Sequence, residues 1–339
     1  YEGLEEESRR PKSAPLATAE EVVASILALR ESHPRWGARK FVHMLRKEFG
    51  EAAPSERTIV RVLKRFGKVR SRAARRGASL VERAPEVVAK APNDVWTIDF
   101  KGWWRTVNGD RCEPLTVRDA YSRFVLATVL LERTDTAHVR MAMTRLFSKH
   151  GVPSAIQCDN GAPFISVRAR AGLTKLSVWW ISLGIKVVRS RVGCPQDNGA
   201  HERMHADMAA DLQRAPERSK ASQQRACDRW RQEFNHVRPH EALHGKTPAE
   251  LYRSSPTKLK PRAPVYPAAW TVRRVSSSGH VGLYFVSSAL AGQTIALEPL
   301  DALRWRVWFH HVSLDTIEFA ADDLPLSPSR RLAYPRRVA

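Results

Sequence analysis

The chain has 339 residues, 43% of them hydrophobic and 27% charged, which is enough for two or three domains with their own cores. Its 56 Lys and Arg against 35 Asp and Glu leave a net charge of +21, and such a surplus attracts polyanions, DNA or RNA above all. No apolar run approaches membrane-spanning length and no signal-peptide pattern opens the chain, so no membrane partner is expected. The chain opens on Tyr1 rather than Met, which leaves room for sequence upstream. Cysteines 112, 158, 194 and 227 form no C-x-x-C pair and fit reduced cytoplasmic thiols better than disulfides or a zinc knuckle.

Residues 1–67 read as a helical region. Thr18 and Glu21 have capping-box spacing, and Val22, Ile26 and Leu29 follow at helical intervals until His33-Pro34. A second helix is predicted from Gly37 to Phe49, with Phe41 and Leu45 on its apolar face. Ser55 then caps a third that carries Ile59, Leu63 and Phe66, and its outer face bears Arg57, Arg61, Lys64 and Arg65. Three short helices with a basic third one form a helix-turn-helix pattern, in which that helix lies against duplex DNA. Residues 68–93 lose periodicity and read as a basic linker whose Arg72, Arg75 and Arg76 track phosphates.

From residue 94 to 253 strand and helix signals alternate. Val95–Lys101 is the first strand, and Leu115–Asp119 with Phe124–Leu130 form a hairpin. A helix at 135–149, a strand at 155–158, a helix at 175–183 and a strand at 185–188 follow. A helix bearing Glu202 and a long one from 223 to 237 complete the region, so a mixed sheet flanked by helices is expected. Residues 254–268 are a proline-rich linker. Alternation at Val281, Leu283 and Phe285, and again at Leu303, Trp305, Val307 and Phe309, predicts a small all-β domain over 269–326. A basic tail occupies 327–339.

The chemistry concentrates in CPQDNGAHERMHADM, residues 194–208. Pro195 and Asn198-Gly199 break the backbone before the helix that carries Glu202. Asp99 in VWTIDF and Asp159 at the end of SAIQCD are carboxylates on or after apolar strands. Three such carboxylates suit a pair of Mg²⁺ ions, which take oxygen ligands and clamp the attacking and leaving oxygens of a phosphoryl transfer. The competing reading is zinc: His201-Glu202-Arg203-Met204-His205 is a literal H-E-x-x-H, although Met208 and Asp211 stand where the extended peptidase pattern needs Gly and His. Asp119 is expected to cap the Tyr121-Ser122-Arg123 turn. His201 and His205 contact phosphate or orient Glu202, Asn160 and Asn198 border the cleft, and Lys186, Arg189 and Arg191 are candidate phosphate contacts. Trp103 and Trp104 are candidates to stack on a base, and Trp179-Trp180 to pack.

The ordered motifs VWTIDF, LTVRDAYSRF, CDNGAPF, DNGAHERMH and FNHVRPHEALHGKTPAELY resemble the catalytic core of DDE transposases from bacterial insertion sequences, and HPRWGARK is similar to the same group. The resemblance implies a ribonuclease-H-like core shared with retroviral integrases and assigns Asp99, Asp159 and Glu202 as catalytic metal ligands. Asp159 lies 60 residues after Asp99 and Glu202 lies 43 further on, the second gap being longer than is usual in retroviral integrases. It implies two Mg²⁺ ions, with Mn²⁺ as substitute, and double-stranded DNA at element ends and target. It also implies a homo-oligomer on DNA and a cytoplasmic, nucleoid-associated location. The alternatives are a catalytically inactive DNA-binding regulator and a zinc metallopeptidase.

Overall fold

The computed structural model describes residues 18–69, 88–166, 169–190 and 199–318. The chain divides into two compact units, one made of the N-terminal residues with Arg238–Thr247, the other of the rest.

In the first unit, α1 (Glu20–Ser32), α2 (Ala38–Phe49) and α3 (Glu56–Arg65) close over Ile26, Phe41, Leu45, Ile59 and Leu63. The three-helix expectation holds, but the Thr18 capping box does not form: Ala19 precedes α1 and makes no side-chain cap. Ser55 does cap α3, its Oγ accepting from Thr58 N at 3.2 Å. Because Ile59, Val62 and Leu63 take the buried stripe, helical periodicity turns Arg57, Arg61, Lys64 and Arg65 outward, and all four are exposed. The stretch Arg238–Thr247, read from sequence as part of the core region, groups with these helices. Arg39 joins the two parts through Glu56 at 3.1 Å and Glu241 at 3.4 Å. Gly245 has φ +81° and lies against His43, whose ring an added Cβ would strike.

The second unit is built on β1 (Val95–Phe100), β2 (Trp104–Arg105), β3 (Arg111–Cys112), β4 (Pro114–Asp119) and β5 (Val125–Leu130). There follow α4 (Thr136–His150), β6 (Ala155–Cys158), α5 (Lys175–Ser182), β7 (Lys186–Arg189), α6 (Gly199–Met208), α7 (Lys220–His236) and α8 (Pro248–Leu251). The main sheet runs β5-β4-β1-β6-β7, with β4 antiparallel to both neighbours and β1, β6 and β7 parallel. That order and polarity is the ribonuclease-H-like arrangement. The short hairpin of β2 and β3 has no strand signal in the sequence.

Alternation along β1 and β4 gives the sheet two different faces. Trp96, Ile98, Leu115 and Val117 face Val139, Met143, Phe147 and Trp180 in one apolar core. The opposite face carries Thr97, Asp99, Thr116 and Arg118, paired across the strands as Thr97↔Arg118 and Asp99↔Thr116. α6 and α7 cover that side. Edge strand β5 is sealed by α7: Asn235 exchanges hydrogen bonds with the Val125 amide (2.8 Å) and carbonyl (2.9 Å). Gln224 does the same for Leu130 N at 2.8 Å and Thr128 O at 3.0 Å. Two side-chain amides thus occupy backbone groups that an exposed edge would offer to another chain.

The C-terminal strands are β8 (Thr271–Arg274), β9 (His280–Val281), β10 (Tyr284–Phe285), β11 (Thr294–Pro299), β12 (Arg304–Phe309) and β13 (Val312–Glu318). Four of them form the sheet β13-β12-β11-β8, and β9 with β10 forms a hairpin. Val281 to Phe285 is therefore not one strand: Gly282 turns the chain at φ +60°, and Leu283 is left 89% exposed at the bend. The sheet does not keep a separate core. Val275, Ile295, Leu297 and Phe309 share one apolar cluster with Leu173, Val178 and Ile181 around α5. Residues 327–339, Arg72, Arg75, Arg76, Arg191, Cys194 and Asn198 lie outside the described residues.

Candidate active site

The fold gathers the three carboxylates from distant parts of the chain. Asp99 is the next-to-last residue of β1, Asp159 directly follows β6 beside it, and Glu202 stands exposed in the first turn of α6. Burial pushes Asp99 up to about 7, and the negative charges of Asp159 and Glu202 push in the same direction. A carboxylate that loses water and faces two like charges is stabilised by a nearby cation, and all the donors here are hard oxygens, so the set fits Mg²⁺ or Mn²⁺. Among the described residues no three carboxylate, imidazole or thiol groups have closed to the spacing of a metal cage. Asp159 is held by the Gly161 amide at 3.2 Å from Oδ1, and a Cβ at Gly161 would stand 3.0 Å from Oδ2. Glycine there lets the turn close against the carboxylate.

The two histidines face inward. Thr116 Oγ1 lies 2.7 Å from His201 Nε2 and 2.7 Å from His205 Nε2, and its own proton goes to the Asp99 carbonyl at 2.9 Å. One hydroxyl has one proton and two lone pairs, so both imidazoles donate from Nε2. His201 Nδ1 then accepts from Thr97 Oγ1 at 2.8 Å. Burial holds both rings neutral, with Arg118 adding to the effect at each, and His205 falls to about 3. The 3.8 Å approach of His205 Nδ1 to Asp99 Oδ2 is therefore not an ion pair at neutral pH. The H-E-x-x-H spacing thus fastens α6 to β1 and β4: both histidines point to threonines, and Glu202 is exposed. A zinc peptidase needs both rings and the glutamate turned to one ion.

Thr116 is a residue that sequence reading passes over. Its signal is the polar alternation Thr97-Asp99 and Thr116-Arg118 inside apolar strands. Thr116→Val should cost about 2–4 kcal/mol in urea unfolding, because two imidazole N–H groups lose their buried acceptor. Thr116→Ser should keep most of it, and equal stability of the two variants would contradict the shared hydroxyl.

The other candidates separate. Asp119 caps its turn as expected, Oδ2 accepting from Ser122 N at 2.7 Å and Oδ1 from Asn93 N at 2.7 Å. Asn160 Nδ2 donates to Ser190 O at 2.8 Å and so ties the ends of β6 and β7 together. Lys186 and Arg189 are exposed, but three residues apart on β7 they point to opposite faces, and Arg189 packs over Gly172. Trp104 is buried, whereas Trp103 is 52% exposed with the guanidinium groups of Arg105 and Arg111 at 5.8 and 5.0 Å from its ring. Trp180 packs in the core as expected. Cys112, Cys158 and Cys227 are free and buried, and burial pushes Cys158 and Cys227 up to about 12.

A five-stranded ribonuclease-H-like sheet, with one aspartate on β1, another just after β6 and a glutamate on the covering helix, is an integrase-type core. Residues 89–195 and 183–248 both match the integrase core domain, and residues 1–63 match a homeodomain-like domain. The chain is 28% identical over 233 residues to the 31.7 kDa protein of insertion element IS407 of Burkholderia multivorans, covering 68% of this chain and 80% of that one. It is 26% identical over 252 residues to the 39.2 kDa protein of insertion element IS476 of Xanthomonas euvesicatoria, covering 74% and 69%. Among solved structures, the HTLV-2 integrase catalytic core domain in complex with magnesium aligns at 17% identity and a TM-score of 0.37, over 49% of this chain and 100% of that one. A chain of the simian T-cell lymphotropic virus intasome in complex with PP2A regulatory subunit B56 gamma aligns at 14% identity and a TM-score of 0.40, over 86% and 99%. These matches support a DDE transposase of insertion elements, with an integrase-like core and a helix-turn-helix region.

Proposed function

We propose that this transposase cuts DNA at the ends of its element and joins the freed 3′-hydroxyl to target DNA, using Asp99, Asp159 and Glu202 as the ligands of two Mg²⁺ ions. The observation that carries the reading is Asp99, whose half-buried carboxylate feels both Asp159 and Glu202 although 60 and 103 residues of chain separate them. When bound, such a metal pair, or Mn²⁺ in its place, supplies the positive charge that polarises the attacking water or hydroxyl and the scissile phosphate. The chain's own part is to hold the carboxylates still: Gly161 fixes Asp159, and the hydrogen bonds of Thr116 to His201 and His205 fix α6 against β4 and, through it, β1. Water serves as nucleophile for cleavage and the 3′-hydroxyl for joining, so no covalent protein–DNA intermediate is required. Arg57, Arg61, Lys64 and Arg65 of α3 bind duplex DNA, the oligomer assembles on the element ends, and the work is done in the cytoplasm beside the nucleoid. No helix among the described residues is long and apolar enough to cross a membrane.

The test is a gel assay with Mg²⁺ on duplexes that carry the two ends of the element encoding this chain. Cleavage at a 3′ end followed by joining to plasmid is expected. DNA binding without either step would favour an inactive regulator. Binding itself is tested in the full chain with Arg57, Arg61, Lys64 and Arg65 changed to alanine. The slope of log affinity against log salt should shrink by about 0.9 for each phosphate that the variant no longer neutralises. An unchanged slope would remove α3 from the DNA interface.

A further inference from the structure

Of the ten tryptophans in the chain, nine are buried or half-buried, and Trp103 alone is exposed, at 52%. An indole removes a large apolar area from water when it packs, and here that area is left facing solvent. Trp103 lies four residues after Asp99, so at most about 14 Å of backbone separates the two. Gly102, at φ +84°, turns the chain between β1 and the hairpin of β2 and β3. The exposed ring therefore stands on the segment that leaves the candidate active site.

The hairpin is held from several sides. Trp104 packs with Met204 and Met208 of α6, the helix that carries Glu202. At the hairpin tip the Val107 and Asn108 amides donate to the Glu217 and Arg218 carbonyls at 3.0 and 2.9 Å. Asp110 Oδ2 accepts from Lys220 N at 3.0 Å. Successive residues of an extended chain face opposite ways, so a buried Trp104 turns Trp103 outward. Register pairs Trp104 with Cys112 and Arg105 with Arg111, which puts Trp103, Arg105 and Arg111 on one outer face. The Arg105 and Arg111 guanidinium carbons stand 5.8 and 5.0 Å from the Trp103 ring centre. Arg111 is paired with Glu113 at 2.8 Å. Arg105 donates only to the Gly109 carbonyl, at 2.7 Å, and meets no carboxylate among the described residues.

We infer that Trp103 and Arg105 form a receptor for one unpaired nucleotide of the element end, its base stacking on the indole and its phosphate meeting the guanidinium. The inference rests on the transposase reading above and adds to it a need to open the duplex beside the cut. Every base has a π face, so stacking on Trp tolerates any sequence, and a flanking cation suits the phosphate that each nucleotide carries. Bases inside a duplex already stack on their neighbours, so a base must leave its pair to reach the ring. The tied hairpin sets the ring in place before DNA arrives, which lowers the cost of ordering it. The alternative is an indole that only shields Arg105 and Arg111 on the surface, and it implies no dependence on base pairing.

The experiment uses the full chain with Mg²⁺ on two element-end duplexes, one fully paired and one mismatched beside the cut. Trp103→Leu should unfold close to the wild-type urea concentration, because the indole is exposed. On the paired duplex it should cleave about tenfold more slowly, and Trp103→Tyr, which keeps an aromatic face, should recover most of the loss. On the mismatched duplex the Trp103→Leu defect should shrink to about twofold, since those bases are already free. Arg105→Gln should lower the salt slope of binding by about 0.9, and an unchanged slope would remove the phosphate contact. A Trp103→Leu defect of equal size on both duplexes would overturn the receptor and make Trp103 a structural residue. Wild-type protein that cleaves neither duplex overturns the transposase reading itself, whereas wild-type cleavage that Trp103→Leu matches on the paired duplex overturns only the receptor.

Discussion

Asp99→Asn, Asp159→Asn and Glu202→Gln should each lower end cleavage and strand transfer by several orders of magnitude while leaving a folded protein that still binds DNA. Each change removes one negative charge and one ligand from a site in which the three carboxylates act on a shared pair of cations, so their effects are alike and not additive. DNA binding should persist because the exposed basic residues of α3 belong to the other unit. Glu202 is exposed, so its amide is tolerated structurally. The measurement is a comparison of the three variants on end-sequence duplex with Mg²⁺. Cleavage within tenfold of wild type by either aspartate variant would remove that residue from the metal site. Activity that disappears only with changes at Glu202, His201 and His205 would instead restore the peptidase reading.

Asp99→Asn should also be more stable than wild type in the absence of metal, and increasingly so with rising pH. The folded-state value of about 7 lies above the ordinary 3.8, so between those pH values the folded protein keeps a proton that the unfolded chain has released. Stability contributed by protonated Asp99 is complete below pH 3.8, declines through that window and is gone above pH 7. A gap of about three units corresponds to at most about 4 kcal/mol, lessened by the carboxylate's 22% exposure. The buried histidines act oppositely: His150, His201 and His205 are held neutral, so they cost stability as pH falls below 6.5. The informative quantity is therefore the difference between variant and wild type in urea unfolding with chelator. It should be near zero at pH 4 and largest at pH 8, and millimolar Mg²⁺ should stabilise wild type but not the variant. A difference that stays flat with pH would mean that Asp99 is neither desolvated by burial nor crowded by Asp159 and Glu202.

These two expectations show where sequence reading suffices and where it does not. Asp99, Asp159 and Glu202 can be named from local pattern, because a carboxylate set in an apolar strand, or just past a broken loop, stands out against its neighbours. Asp119 can be set apart from them because Ser122 follows at capping distance, and its carboxylate is indeed spent on that turn. The H-E-x-x-H spacing, by contrast, is ambiguous. Histidines four residues apart share a helix face whether that face meets a zinc ion or a sheet. Only the packing of α6 on β1 and β4 shows that Thr116 and Thr97 already occupy three of the four ring nitrogens.

What the linear chain determined was everything carried by periodicity and by local chemistry: the three N-terminal helices with their basic outer face and the order of core strands and helices. Those features depend on residues a few positions apart, whose spacing decides which face is buried. The tertiary structure decided the relations between residues far apart in sequence. It attached Arg238–Thr247 to the helical unit and merged the C-terminal sheet with α5, since apolar surface is buried wherever a complementary surface exists, irrespective of linker composition. It also stacked Thr97 against Arg118 and Asp99 against Thr116 by strand register, and register is set by the pairing of whole strands. For that reason the shared hydroxyl of Thr116 came into view only with the sheet assembled.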